Sequence, residues 1–297
     1  MALTKHIQKP RWLRKQLPTG PVYENVRKML NDDLLHTVCQ EARCPNQWEC
    51  FSNRTAAFLI LGDRCTRNCG FCAVKHGTGT KPDVEEPKRV ADAAKWLNLD
   101  HVVVTSVTRD DILDGGAYMF AITISEIRKG TPGATVEVLI PDFKGDEKAL
   151  TTVLDAVPDV LNHNIETVPR LYDMVRPGAD YKRSLNLLKR VRAVKPSIPT
   201  KSGIMLGLGE TPHEVKQTLK DIYHTGCSML TMGQYLQPSV EHIEVSRFVT
   251  PEEFDNWQDT ALEIGFTEVF SGPLVRSSYN AREMYRAYSG YNSKGKA

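Results

Sequence analysis

The sequence predicts an α/β protein: a parallel β/α barrel of the TIM type, partial or complete, with N-terminal and C-terminal extensions closing over the barrel mouth. Three observations carry this expectation. From Thr55 onward, short β-rich runs alternate with amphipathic segments, the signature of a parallel sheet built from βα units. Six or seven such units fit a barrel better than a small open sheet, with a doubly wound fold as the structural alternative. A cysteine triplet begins at Cys65, just after the first run, and in either architecture ligands gather at the carboxyl ends of the strands.

The runs fall in order. Ala57–Leu61 is continuously apolar and reads as the first strand, followed by an amphipathic helix over Pro87–Leu97. His101–Ser106, with three successive valines, is the second strand, and Tyr118–Arg128 its helix. Thr135–Ile140 and Glu147–Val157 repeat the pattern, as do Val160–Ile165 and Arg183–Val194. Lys201–Leu206 leads into Thr211–Tyr223, and Met229–Tyr235 into Pro251–Ile264. Glu268–Phe270 is the last strand, and a further helix lies near Asn280–Tyr288. This divides the chain into an N-terminal extension (1–54), a barrel (55–270) and a C-terminal extension (271–297).

Six of the seven cysteines form two triplets, Cys39, Cys44 and Cys50 (C-x4-C-x5-C) and Cys65, Cys69 and Cys72 (C-x3-C-x2-C). A chain of 297 residues buries enough surface to fold without covalent staples, so close-set cysteines read as metal ligands rather than a disulfide framework. Each triplet is one ligand short of a closed site. Structural zinc wants four protein ligands, and a zinc knob completed by His36 or His76 is the plain alternative. An iron–sulfur cube usually takes four cysteines, so three leave one iron open to another group. Cys227 stands apart near Met229 and Met232 and reads as a small buried hydrophobe.

The remaining composition is ordinary. With 38 basic and 36 acidic side chains the net charge is +2, which provides no global field to gather nucleic acid. A short basic cluster with a tryptophan (Arg11, Trp12, Arg14, Lys15) reads as a solvated arm. No apolar run approaches the roughly 20 residues that span a bilayer, and the N-terminus lacks the apolar core of a secretory signal, so a cytoplasmic location is expected. Gly203, Gly207 and Gly209 do not make a dinucleotide loop in the required order and read as a βα turn. Asp110, Asp111 and Asp114 lack the calcium-loop spacing and read as turn and helix-start residues. Taken alone, Arg276-Ser277-Ser278-Tyr279 reads as a turn with a serine cap on the helix that follows.

Three motifs together resemble a known family. The stretch Asp63-Arg64-Cys65-Thr66-Arg67-Asn68-Cys69-Gly70-Phe71-Cys72 resembles the cluster loop of radical S-adenosylmethionine enzymes. Cys39-Gln40-Glu41-Ala42-Arg43-Cys44-Pro45-Asn46 and Arg276-Ser277-Ser278-Tyr279 resemble the lipoyl synthase family within that superfamily. The likeness runs nearly end to end, from Pro10-Arg11-Trp12-Leu13-Arg14 through Thr105-Ser106-Val107, Asp110-Asp111 and Asp114-Gly115-Gly116.

The resemblance implies two [4Fe–4S] clusters and S-adenosylmethionine as cofactors. Cys65, Cys69 and Cys72 would hold the cluster that binds and cleaves S-adenosylmethionine; Cys39, Cys44 and Cys50 would hold an auxiliary cluster that donates sulfur, with Ser278, ahead of Ser277, as its fourth ligand. Thr105 and Ser106, and Asn164 and Glu166, end strands where they would meet S-adenosylmethionine. The implied reaction inserts sulfur at C6 and C8 of an octanoyl chain on a lysine of a lipoyl carrier protein, such as the E2 subunits of 2-oxo acid dehydrogenases or the glycine cleavage H protein. A low-potential donor such as ferredoxin or flavodoxin and an iron–sulfur carrier are implied as further partners, with neither membrane nor nucleic acid involved. The competing readings are a radical methylthiotransferase acting on nucleic acid and a non-enzymatic zinc scaffold.

Overall fold

The computed structural model describes residues 8–14, 20–53 and 55–294, so Lys15 of the basic cluster lies outside the described residues. Helix α1 (Pro21–Asp32) opens on a proline, whose missing N–H costs nothing there, and buries Tyr23, Val26 and Leu30 from one face. A two-residue strand, β1 (His36–Thr37), leads into α2 (Val38–Glu41), which Thr37 caps by accepting from the Gln40 amide. Helix α3 (Gln47–Ser52) follows; Trp48 stacks on Tyr23 with ring centroids 4.2 Å apart, fixing α3 against α1. None of these three helices was legible as part of a strand–helix repeat, because α2 and α3 are only four and six residues long and no strand-like run precedes α1.

The barrel elements then follow in order: β2 (Ala57–Ile60), the small pair β3 (Arg64–Cys65) and β4 (Lys75–His76), α4 (Glu86–Trp96), β5 (His101–Ser106), α5 (Ala117–Gly130), β6 (Thr135–Leu139), α6 (Glu147–Asp155) and β7 (Val160–Asn162). The second half comprises α7 (Tyr172–Val175), α8 (Tyr181–Val194), β8 (Thr200–Leu206), α9 (Pro212–Tyr223), β9 (Met229–Gln234), α10 (Pro251–Ile264), β10 (Glu268–Gly272) and α11 (Ala281–Lys294). The eight-stranded sheet runs β1-β2-β5-β6-β7-β8-β9-β10, with only β1 antiparallel. No ladder joins β10 to β1 among the described residues, so the fold is a partial barrel and not a complete one. All seven predicted barrel strands are present. β7 ends its regular ladder at Asn162 rather than Ile165, although His163 and Ile165 still donate to carbonyls of β8.

The parallel registers place His101, Val103 and Thr105 of β5 level with Thr135, Glu137 and Leu139 of β6, and Lys201, Gly203 and Met205 of β8 level with Met229, Thr231 and Gly233 of β9. Lys201 donates to Glu137 at 3.0 Å, Asn162 donates to the same carboxylate at 3.2 Å, and the His101 ring lies 3.6 Å from it. This buried polar layer lies near the N-terminal ends of the strands. Below it, Met284 of α11 packs against Val160 and Met229, and Tyr285 stacks on His101.

That packing corrects one expectation. α11 covers the N-terminal ends of the strands, the barrel floor, rather than the mouth. The reason is chemical: Met284, Tyr285 and Tyr288 give the helix an apolar side that matches the floor, while Arg282 and Arg286 bind Asp100 at the foot of β5.

Candidate functional site

At the mouth, β2 ends in a strained turn. Leu61 has φ +70° and Gly62 φ +89°, and the Leu61 amide donates to the buried Glu86 carboxylate at 2.8 Å. A non-glycine residue holds such a conformation only where its surroundings enforce it. The turn delivers Cys65, which pairs with His76 across β3 and β4. Thr66 stitches the loop to the segment after β5: its hydroxyl donates to the Thr108 carbonyl and accepts from the Asp110 amide, while the Thr108 amide points at the Cys65 sulfur, 3.3 Å away.

Arg67 anchors the next turn from inside, binding Asp110 through two nitrogens and Asp142 at 2.5 Å. Burial would raise Asp142, but the guanidinium groups of Arg67 and Arg183 outweigh it and hold the carboxyl well below its usual range. Gly70 is wedged between α7 and the loop after β9; a Cβ there would meet Ile243 at 2.6 Å. His242 donates to the Cys72 carbonyl at 2.9 Å. The three cysteines are half-buried on one short loop; burial chiefly, with the neighbouring cysteines adding to it, pushes Cys69 up to about 11 and Cys72 to about 12. A positively charged group among them would be needed to keep all three as thiolates.

The predicted strand-end residues gather above the polar layer. The Thr105 hydroxyl is spent on the Leu139 carbonyl at 2.9 Å. The buried Ser106 hydroxyl and the amide oxygen of Asn164 have no hydrogen-bond partner among the described residues. Asn164 donates to Glu166 at 3.0 Å, and Glu166 sits at φ +69°. Burial raises the Glu166 carboxyl, opposed by the nearby charges of Arg176 and Arg276. Gly203 makes this arrangement possible, because a Cβ there would lie 2.9 Å from the Asn164 oxygen. Buried polar atoms left without partners at a barrel mouth fit a polar guest. Ser106, Asn164 and Glu166 therefore suit S-adenosylmethionine, and Thr105 is better read as a sheet clamp.

The first triplet lies at the other end of β2. The antiparallel register pairs His36 with Leu59 and Thr37 with Phe58, so the chain descends towards the floor before reaching Cys39. Cys39 is buried and its thiol is pushed up, mainly by burial and then by Cys44 and Cys50. The C-terminal segment returns down the barrel: a Cβ on Gly233 would meet the Val275 carbonyl at 2.1 Å, so the chain lies directly against β9. Asn46 donates to the Leu274 carbonyl and Tyr279 to Glu49, pinning this segment to α3. As a result Cys39, Cys50 and Ser278 line one cavity of about 400 Å³. Cys44 does not line it; the half-buried Arg276 lies near both Cys44 and Glu166. Among the described residues no three ligand side chains already converge as for a single metal ion.

Residues 59–222 match the Radical SAM superfamily, and residues 2–44 match the N-terminal domain of lipoyl synthase of that family. A curated lipoyl synthase from Desulfotalea psychrophila is 58% identical over 280 residues, covering 94% of each chain. The chain belongs to the lipoyl synthase family. A second lipoyl synthase, from Caldanaerobacter subterraneus subsp. tengcongensis, is 57% identical and covers 93% of this chain and 96% of its own. The fold is shared with the [FeFe]-hydrogenase maturase HydG, at a TM-score of 0.56 and 13% identity, covering 90% of this chain and 67% of that one.

Membership makes the chain an enzyme of sulfur insertion, a sulfurtransferase that works with an iron–sulfur cluster and S-adenosylmethionine. The lipoyl synthase site also contains residues that sequence reasoning did not assign. Arg176 and Glu86 carry no motif that marks them, and Arg67 stood inside the Cys65–Cys72 motif without a role of its own. Arg176 donates to the Asn164 carbonyl and the Tyr172 hydroxyl, which only the folded chain reveals. Arg276 stood inside the RSSY motif and could have been questioned there. No helix among the described residues is long and apolar enough to cross a membrane.

Proposed function

We propose that this enzyme inserts two sulfur atoms, at C6 and C8, into an octanoyl chain carried on a lysine of a lipoyl carrier protein. The observation that carries the reading is the pair of thiol triplets at opposite ends of one strand, with Ser278 in the cavity of the first. An octanoylated carrier protein is the substrate that lipoyl synthase activity implies.

Cys65, Cys69 and Cys72 would hold a [4Fe–4S] cluster with one iron left for S-adenosylmethionine. Cys39, Cys44 and Cys50 would hold the auxiliary cluster, completed by Ser278. When bound, these groups supply reductive cleavage of the sulfonium for hydrogen abstraction at one end, and sulfide for carbon–sulfur bonds at the other. The protein's own share is placement. Ser106, Asn164 and Glu166 receive the polar parts of S-adenosylmethionine, Arg176 fixes the Asn164 backbone, and the barrel interior shields the acyl chain from water. A hydroxyl is a weak iron ligand and must bind as alkoxide, which suits a cluster that gives up sulfur.

On this reading residues 1–54 form the auxiliary-cluster extension, 55–270 the barrel and 271–297 the segment bearing the serine ligand. A ferredoxin or flavodoxin would supply electrons and an iron–sulfur carrier would rebuild the auxiliary cluster. The cytoplasm, where thiols stay reduced, is the compartment this chemistry favours.

The test is anaerobic reconstitution with S-adenosylmethionine, a reductant and an octanoyl-lysyl peptide, followed by mass spectrometry. Peptide in which two sulfurs replace two hydrogens, with two 5′-deoxyadenosines formed, is the expected result. Deoxyadenosine without sulfur transfer would retain the radical chemistry and refute the auxiliary assignment.

A further inference from the structure

The cavity that holds Cys39, Cys50 and Ser278 has a second side. Its outer wall is made by Asn53 and Thr55 before β2, Asn98 and Asp100 before β5, and Arg282 and Glu283 of α11, all exposed. These residues belong to the N-terminal ends of the strands, so the cavity reaches solvent at the floor, opposite the mouth that presents Cys65, Cys69 and Cys72. Its volume of about 400 Å³ falls within the range of small-molecule pockets, roughly 300–1,000 Å³. At its rim, Asp100 accepts from Arg282 at 3.3 Å and from Arg286 at 2.5 Å, which adds a polar tie to the apolar seating of α11 through Met284 and Tyr285. Such exposed ion pairs are weak and open readily.

We infer that this floor opening is a loading port, through which iron and sulfide reach the auxiliary centre independently of the mouth. The inference rests on the assignment of Cys39, Cys44, Cys50 and Ser278 proposed above. A centre that loses sulfur in each turnover needs resupply, and the mouth is committed to S-adenosylmethionine and the acyl chain. The guest is defined by the walls: thiols and a hydroxyl inside, and outside a polar rim of mixed charge that suits either hydrated ferrous iron with sulfide or a thiolate-bound [4Fe–4S] unit handed over by a carrier.

The experiment uses the full chain with Cys65→Ala, Cys69→Ala and Cys72→Ala, which leaves only the auxiliary site. It is mixed anaerobically with ferrous iron and sulfide in one arm, and with a 2-mercaptoethanol-ligated [4Fe–4S] cluster in the other. Bound iron, acid-labile sulfide and the cluster's absorption are followed against time. Asn53→Trp, at an exposed rim position, is expected to slow loading by an order of magnitude in at least one arm. Val240→Trp, exposed at the mouth, is expected to leave it unchanged. Slowing in both arms identifies a port for small components as well, and slowing only with the preformed cluster identifies a port for handed-over clusters. Wild-type loading by Asn53→Trp in both arms, or slowing by Val240→Trp instead, overturns the inference while leaving the ligand assignment intact. Failure of the background protein to take up any cluster overturns both.

Discussion

At the scale of single residues, the site depends on side chains whose local conformation the surroundings enforce. Ser278 lines the cavity of Cys39 and Cys50, and on the proposed assignment Ser278→Ala is expected to abolish sulfur insertion while 5′-deoxyadenosine still forms, because Cys65, Cys69 and Cys72 would hold the cluster that cleaves S-adenosylmethionine. Wild-type sulfur transfer by the variant, read by mass spectrometry of the peptide, would remove the serine from the mechanism. Asn164→Ala and Glu166→Ala should each weaken S-adenosylmethionine binding by about 1–3 kcal/mol, the cost of leaving buried polar groups without partners, as measured by calorimetry on reconstituted protein. Sequence placed both residues because they end a strand; it could not foresee that Glu166 bridges Ile204 of β8 with φ +69° or that Thr105 spends its hydroxyl inside the sheet. Strand-end position is visible in a period of two, whereas the partner of a hydroxyl depends on a neighbouring strand far away in the chain.

At the scale of elements, the barrel strands were legible because runs such as Val102–Val104 and Leu59–Leu61 are buried on both faces, and parallel strands of that kind carry a nearly continuous apolar signal. The helices α1, α2 and α3 were not, since α2 and α3 are held by a threonine cap and a Tyr23–Trp48 stack rather than by a long apolar stripe. Glycine in β9 marks a further dependence. Gly233→Ala would drive a methyl into the Val275 carbonyl, 2.1 Å from the ideal Cβ, so the descending C-terminal segment must move. The expected outcome is a normally folded barrel, by circular dichroism, with impaired iron loading at the auxiliary centre. Unchanged loading would show that Ser278 keeps its place without this close approach.

At the scale of the whole molecule, the two ends of the barrel differ in chemistry and are separated by a charged layer in the interior. Burial alone would raise Glu137, but Lys201 and His101 overcome it and hold the carboxyl at about 2, against an ordinary value of 4.5. A depressed carboxylate contributes stability that is fully present above pH 4.5 and is lost as pH falls towards 2. Urea midpoints of apoprotein measured across that interval should decline more steeply for the wild type than for Glu137→Gln, whose stability is lower from the start. Parallel slopes would mean that other carboxylates dominate acid unfolding. The sequence showed the cysteines and the barrel strands, but not that α11 packs on the floor, since an apolar stripe does not say which end of a barrel it will cover. That placement turns β2 into a measuring rod. Its four residues, at about 3.3 Å each, separate the loop of Cys65 from the loop of Cys39; on the proposed assignment an acyl arm entering at the mouth would be gauged by depth, and only carbons carried far enough inward would come within reach of sulfur.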